Sequence, residues 1–259
     1  MARDLVAGRN LAWQFAVREI RAQYRQTALG LLWMFITPLA NTLTWVFIHK
    51  TGVISIRDTS IDYPIYVFTG TLLWAIFMDA LNAPLLQTNT ARSMLAKINF
   101  PREALIISGL YQVFFNTGIK TLILFASLFF FGIRPSLTQL LFPFAALSLI
   151  LAGTAIGLVV TPIGMLYRDV GKGLPFLMQF VMYITPVVFP MPTIGMAATI
   201  FRLNPLTPLL ITARDLLTGT QPEHIDAFLM VSAMALLILV VSLAVYRATM
   251  HIIIERLSS

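Results

Sequence analysis

The stretch LTQLLFPFAALSLILAGTAIGLVVTPIGML, residues 137–166, runs without a single charged side chain. A helix needs only about 20 apolar residues to cross the hydrocarbon core of a bilayer. The rest of the chain agrees with this segment. Of 259 residues 58% are hydrophobic and only 11% charged, where a soluble domain carries roughly 25% charged residues. Mean hydropathy is +0.83. A protein core cannot absorb so much apolar surface, so the solvent must be lipid. Cysteine is absent, which excludes disulfides and thiol chemistry. The net charge of +7 is read as membrane topology rather than as a nucleic-acid footprint.

Working outward, five further segments are apolar enough to span: Ala28–His49, Tyr63 to about Leu86, Leu105–Ile133, Leu174–Phe189 and Ala227–Tyr246. The fifth span in chain order, Leu174–Phe189, is short unless it begins near Val170. The first follows a charged stretch and is too long for a signal-peptide core, so it reads as a span. Lys and Arg then sort by side. Arg3, Arg9, Arg18, Arg21, Arg25, Arg92, Lys97, Arg102, Arg168, Lys172, Arg247 and Arg256 fall on one face, against Lys50, Arg57, Arg134, Arg202 and Arg214 on the other. The positive-inside rule puts both termini in the cytoplasm. The expected fold is an all-α integral membrane protein of six transmembrane helices. Residues 1–27 form a cytoplasmic interface helix and 28–259 one membrane domain.

Two regions are neither spans nor loops. In NLAWQFAVREIRAQYR, residues 10–25, Trp13, Val17, Ile20 and Tyr24 recur at helical spacing, and Gln14, Arg18, Arg21 and Arg25 repeat one step round. Such an amphipathic helix with a basic face suits the inner membrane surface. Between spans five and six, at about 190–222, TIGMAATIF and LTPLLITARDLL are too short to cross and too apolar for a solvated loop. They are expected as re-entrant or interfacial helices, whose ends must be satisfied by protein or by a wet cavity.

Catalytic patterns are missing. His49, His224 and His251 are divided between the two faces and cannot share one metal. No G-x-S-x-G elbow is present, and GMLYRDVGKG has the wrong spacing for a phosphate loop. No cofactor is expected in this chain, and ATP could not be bound through such a loop. If transport is driven, the energy comes from a partner or an ion gradient.

Polar groups inside spans are expensive, so their placement carries information. Trp33, Thr37, Asn41 and Thr44 share one face of span one. Ser108, Gln112, Asn116 and Lys120 share one face of span three, which carries the ammonium about 22 Å into the membrane. Phe176, Phe180 and Tyr183 form an aromatic stripe on span five. Each stripe fits either helix packing or a pathway. Lys120 needs a partner or water. Asp79 is the nearest acid by span, although its depth matches poorly. Gly153 and Gly157 read as close helix packing. The charged segment AKINFPRE, residues 96–103, is broken by Pro101. It is either a solvated turn or a knob in which Lys97, Arg102 and Glu103 rim an exposed Phe100.

Taken together, VREIRAQYRQTALGLLW (17–33), YPIYVFTGTLLW (63–74), KINFPREA (97–104), YRDVGKGLPFLMQFVMYITPVVFP (167–190) and NPLTPLLITARDLLTG (204–219) resemble the membrane subunits of ABC transporters that export polysaccharides and polyol-phosphate polymers. Phe189 departs from the tyrosine of many relatives. The resemblance implies a homodimer with two copies of an ATP-binding cassette subunit, which binds ATP and Mg, in the bacterial cytoplasmic (inner) membrane. It implies that the segment at about 92–104 (Lys97, Phe100, Pro101, Arg102, Glu103) docks on that subunit, and that residues 190–222 form outer gate helices. Spans one and five would line a shared channel, through Trp33, Thr37, Asn41, Phe176, Phe180 and Tyr183, with Lys120 a further candidate. Arg18, Arg21 and Arg25 would hold the phosphate of a lipid-linked polysaccharide (O-antigen, capsule or teichoic acid), with membrane lipid around them. An exporter of a drug or small lipid and a gradient-driven transporter are the rival readings.

Overall fold

The computed structural model describes residues 9–25, 30–52, 59–92 and 103–258. Helix α1 is Arg9–Arg25, and a short 3-10 turn, Gly30–Leu32, leads into α2, Trp33–Lys50. Helices α3 (Tyr63–Thr90) and α4 (Glu103–Phe130) follow. A second 3-10 turn, Leu137–Leu141, opens α5 (Phe142–Leu166). Then come α6 (Asp169–Tyr183), α7 (Gly195–Leu203), α8 (Leu206–Thr218) and α9 (Ile225–Ser258). No strand occurs among the described residues.

The hub is the pair α3 and α5. Gly153 and Gly157 bring their backbones together: a Cβ on Gly153 would lie 2.6 Å from the Phe77 carbonyl oxygen, and one on Gly157 would strike that of Leu81. The expected G-x-x-x-G packing is therefore present, and its partner is α3. Around this pair pack α4, α8 and α9. A smaller cluster of Ala91, Leu105, Ile106, Leu158, Met165, Tyr246, Met250 and Ile253 closes the opposite end, with Phe15 of α1 against it. Helix α9, at 34 residues, is about 51 Å long, so it carries its tail past the expected end at Tyr246 into that cluster.

Five helical stretches are long and apolar enough to cross a membrane: Gly30–Lys50, Tyr63–Thr90, Glu103–Phe130, Leu137–Leu166 and Ile225–Met250. The fifth expected span is shorter than its sequence suggests. Helix α6 begins at Asp169 but ends at Tyr183, about 22 Å long, and residues 184–189 are turns. Pro186 supplies no N–H to continue the ladder. The two short helices expected at 190–222 are both present and differ in setting. Helix α8 is buried against α3, α5 and α9, whereas α7 exposes Ile194, Met196 and Leu203 around it.

Helix α1 docks through a face the periodicity did not single out. Ala12 and Ala16 are fully buried where α1 meets α4, and Trp13 packs edge-on against Tyr111 with ring centroids 5.5 Å apart. Small alanines permit close approach, leaving the Trp13, Val17 and Ile20 side partly open.

Candidate functional site

The stripes of α2 and α6 are both uncovered. Trp33, Thr37, Asn41 and Thr44 are exposed along one side of α2, and only 11% of that span is buried. On α6, Phe176 is 61% exposed, with Phe180 and Tyr183 beside it; Phe176 and Phe180 meet edge-to-face at 5.1 Å. The two helices come together at Trp45, whose ring lies 6.2 Å from Tyr183 and 5.2 Å from Phe189. Asn41 pointing away from the bundle has no place in hydrocarbon, so this face needs water or another protein surface. Phe189, the departure from tyrosine, packs its ring on Trp45.

Lys120 does not belong to that face. It is 5% exposed and sits between α3 and α4, with Nζ 2.7 Å from Asp79 Oδ2 and donating to the Ala75 carbonyl at 3.0 Å. Asn116 donates to the same carboxylate at 3.2 Å, and Gln87 donates to Gln112 at 2.8 Å one step along. These pairings run antiparallel. Each side chain leans toward its own helix N-terminus, so Lys120 and Asp79 lean toward each other and close the depth mismatch that helix counting gave. The geometry gives the Lys120 ammonium a carboxylate partner within the bundle.

The segment after α6 holds what the residue patterns did not single out. With α6 ended at Tyr183, just ahead of Pro186, the carbonyls of residues 184–189 lie in an otherwise apolar setting, where each must find a donor. Asn204 donates to the Ile184 carbonyl at 3.1 Å and to Thr185 Oγ1 at 2.7 Å. Tyr66 donates its hydroxyl to the Pro186 and Phe189 carbonyls at 3.2 and 3.3 Å. Arg214, 3% exposed, donates to the Val187 carbonyl at 3.0 Å, with its guanidinium 3.7 Å from the Tyr66 ring centroid. Gly70 makes room: a Cβ there would collide with Arg214 and with the Val187 carbonyl. Three of the stretches quoted for the resemblance, 63–74, 167–190 and 204–219, thus converge on one backbone lock. An arginine within a short apolar helix was the signal available, the same one that drew attention to Lys120.

At the other end, Glu103 pairs with Arg247 Nε at 3.4 Å, which ties the start of α4 to the tail of α9. Lys97, Phe100, Pro101 and Arg102 lie outside the described residues, as does the Arg25 side chain. Arg18 and Arg21 are exposed on α1, with Arg18 2.9 Å from Glu19 and over the Phe15 ring.

A spanning bundle with an uncovered aromatic face and a side-chain-locked short helix is the architecture of a membrane transport subunit. The chain belongs to the ABC-2 type transporter family, whose model matches residues 10–218. It is 23% identical to the O-antigen export system permease protein RfbA of Myxococcus xanthus over 242 residues, 92% of each chain. It is 22% identical to the RfbA protein of Klebsiella pneumoniae over 201 residues, covering 77% and 76% of the two chains. With the polysialic acid transport protein KpsM of Escherichia coli it shares 24% identity over 241 residues, 89% and 90% of the two.

Proposed function

We propose that this chain is the permease subunit of an ATP-driven exporter that moves a lipid-linked polysaccharide across the bacterial cytoplasmic membrane. Two copies pair through the side carrying α2 and α6, each copy contributing six crossings when α6 is counted with the turns after it, and both termini are cytoplasmic. Two ATP-binding subunits dock on the segment around Lys97, Phe100, Pro101 and Arg102 and supply hydrolysis. Glu103 serves that segment from inside, by tethering it to Arg247. The observation that carries this reading is that the stripe of Phe176, Phe180 and Tyr183 and the polar side of α2 are both left uncovered, on helices that meet at Trp45. Sugar C–H faces pack on aromatic rings, and repeated weak contacts let a polymer slide without being trapped. The names of the relatives agree with it. Exposed Arg18 and Arg21, with Arg25 beyond them, would receive the carrier phosphate.

The test is co-purification with an ATP-binding subunit, followed by ATP hydrolysis in liposomes with and without the lipid-linked polymer. Polymer-stimulated hydrolysis supports the reading. Stimulation by a small amphipathic drug or lipid alone would favour the rival exporter.

A further inference from the structure

We infer that a cavity beside the backbone lock is a binding site for one or two uncharged sugar units of the exported polymer, separate from the face shared by α2 and α6. The inference rests on the polymer-export reading and adds a ligand site to it. The cavity has a volume of about 860 Å³, within the roughly 300–1,000 Å³ of small-ligand sites. It lies at the end of the bundle where α3 begins, between α8, the 190–193 segment and residues 220–227.

Its chemistry points to hydroxyl groups. Two arginines, Arg202 and Arg214, face two carboxylates, Asp215 and Glu223, with His224 beside them, so the wall carries no excess of charge of one sign with His224 neutral. The wall offers both donors and acceptors, which suits hydroxyl groups because each hydroxyl both gives and receives a hydrogen bond. Pro190, Met191 and Pro208 supply an apolar side for sugar C–H faces. Two buried groups lining the cavity are left without partners by the fold itself: the Thr207 hydroxyl, on a residue 3% exposed, and Arg214 Nε. Buried polar groups are nearly always paired, and stranding one costs the protein stability. A hydroxylated ligand seated in the cavity would offer the Thr207 hydroxyl a partner.

The chain has no cysteine, so single thiols can report occupancy by the native polymer. Ser60→Cys lies on the exposed rim of the cavity, and Arg134→Cys lies exposed at the same end but outside it. Each is labelled with a membrane-impermeant maleimide in cells that make the polymer and in cells lacking its first sugar transferase. Labelling of Ser60→Cys should slow several-fold when polymer is made, and that of Arg134→Cys should not. Adding Thr207→Val and Glu223→Ala together should return the Ser60→Cys rate to its polymer-free value. Thermal stability in detergent should stay unchanged or rise, because Thr207→Val removes an unpaired hydroxyl. Equal slowing at both positions, no slowing, or slowing that survives the double change would overturn the site. Polymer display that is undiminished in cells without this chain would instead contradict the export reading.

Discussion

Lys120 and Arg214 are both held away from water, and they are satisfied in different ways. Lys120 has a carboxylate, a carbonyl and a neighbouring amide around it. Removing Lys120 leaves the half-buried Asp79 carboxylate without its counter-charge, which costs stability, whereas replacing both with apolar residues is often neutral. Lys120→Met should therefore lower thermal stability in detergent, and Lys120→Met with Asp79→Leu should restore it with export near normal. Loss of export in a stable double variant would put Lys120 back on a pathway. Arg214 stacks on Tyr66 and holds the Val187 carbonyl. Lys in its place has no planar group to stack, so Arg214→Lys should weaken the lock. Gly70→Ala should do so more severely, by displacing both guanidinium and carbonyl. Limited proteolysis around residues 184–194 is the readout: unchanged cleavage in both variants would mean that the lock does not hold this segment.

Helix α6 is where exposure separates a lining role from a packing one. A buried Phe→Ala change costs roughly 3–5 kcal/mol, but Phe176 is 61% exposed and has little burial to lose. Phe176→Ala should reduce export with less than about 1 kcal/mol of destabilisation by that area argument. Tyr183→Phe should export almost normally, since stacking needs the ring more than the hydroxyl. Export and melting temperature on the same proteins check both, and a parallel fall in the two would assign these rings to packing. The elements were legible to different degrees. Residues 137–166 and 63–90 announce themselves by length and hydropathy alone. The end of α6 did not, because apolar residues continue through Ile184, Val187 and Val188 although Pro186 stops the helix. The docking face of α1 was hidden too, since Ala12 and Ala16 contribute closeness, to which hydrophobic periodicity is nearly blind. Tyr66, Asn204 and Arg214 lie far apart in sequence, and only the tertiary fold explains why they belong together.

For the whole molecule, the two ends of the bundle are built for different work. One end carries the lock, the short helices and the polar cavity. The other gathers Ala91, Leu105, Tyr246 and Met250 into a small core. Phe100→Ala or Arg102→Glu should leave the bundle folded but abolish association with the ATP-binding subunit, read by co-purification. Retention of that subunit by both variants would remove the docking assignment. Glu103→Gln loses the pair with Arg247 and should weaken coupling less, reducing polymer-stimulated hydrolysis while association persists. Export itself is tested most directly by measuring surface and intracellular polymer in cells deleted for this chain and complemented with the parent or with Phe176→Ala/Phe180→Ala/Tyr183→Ala. Polymer should accumulate inside the deleted cells, return to the surface with the parent, and stay inside with the triple variant at equal expression. Full surface polymer in the deleted cells would contradict the assignment of this chain as the polymer's permease.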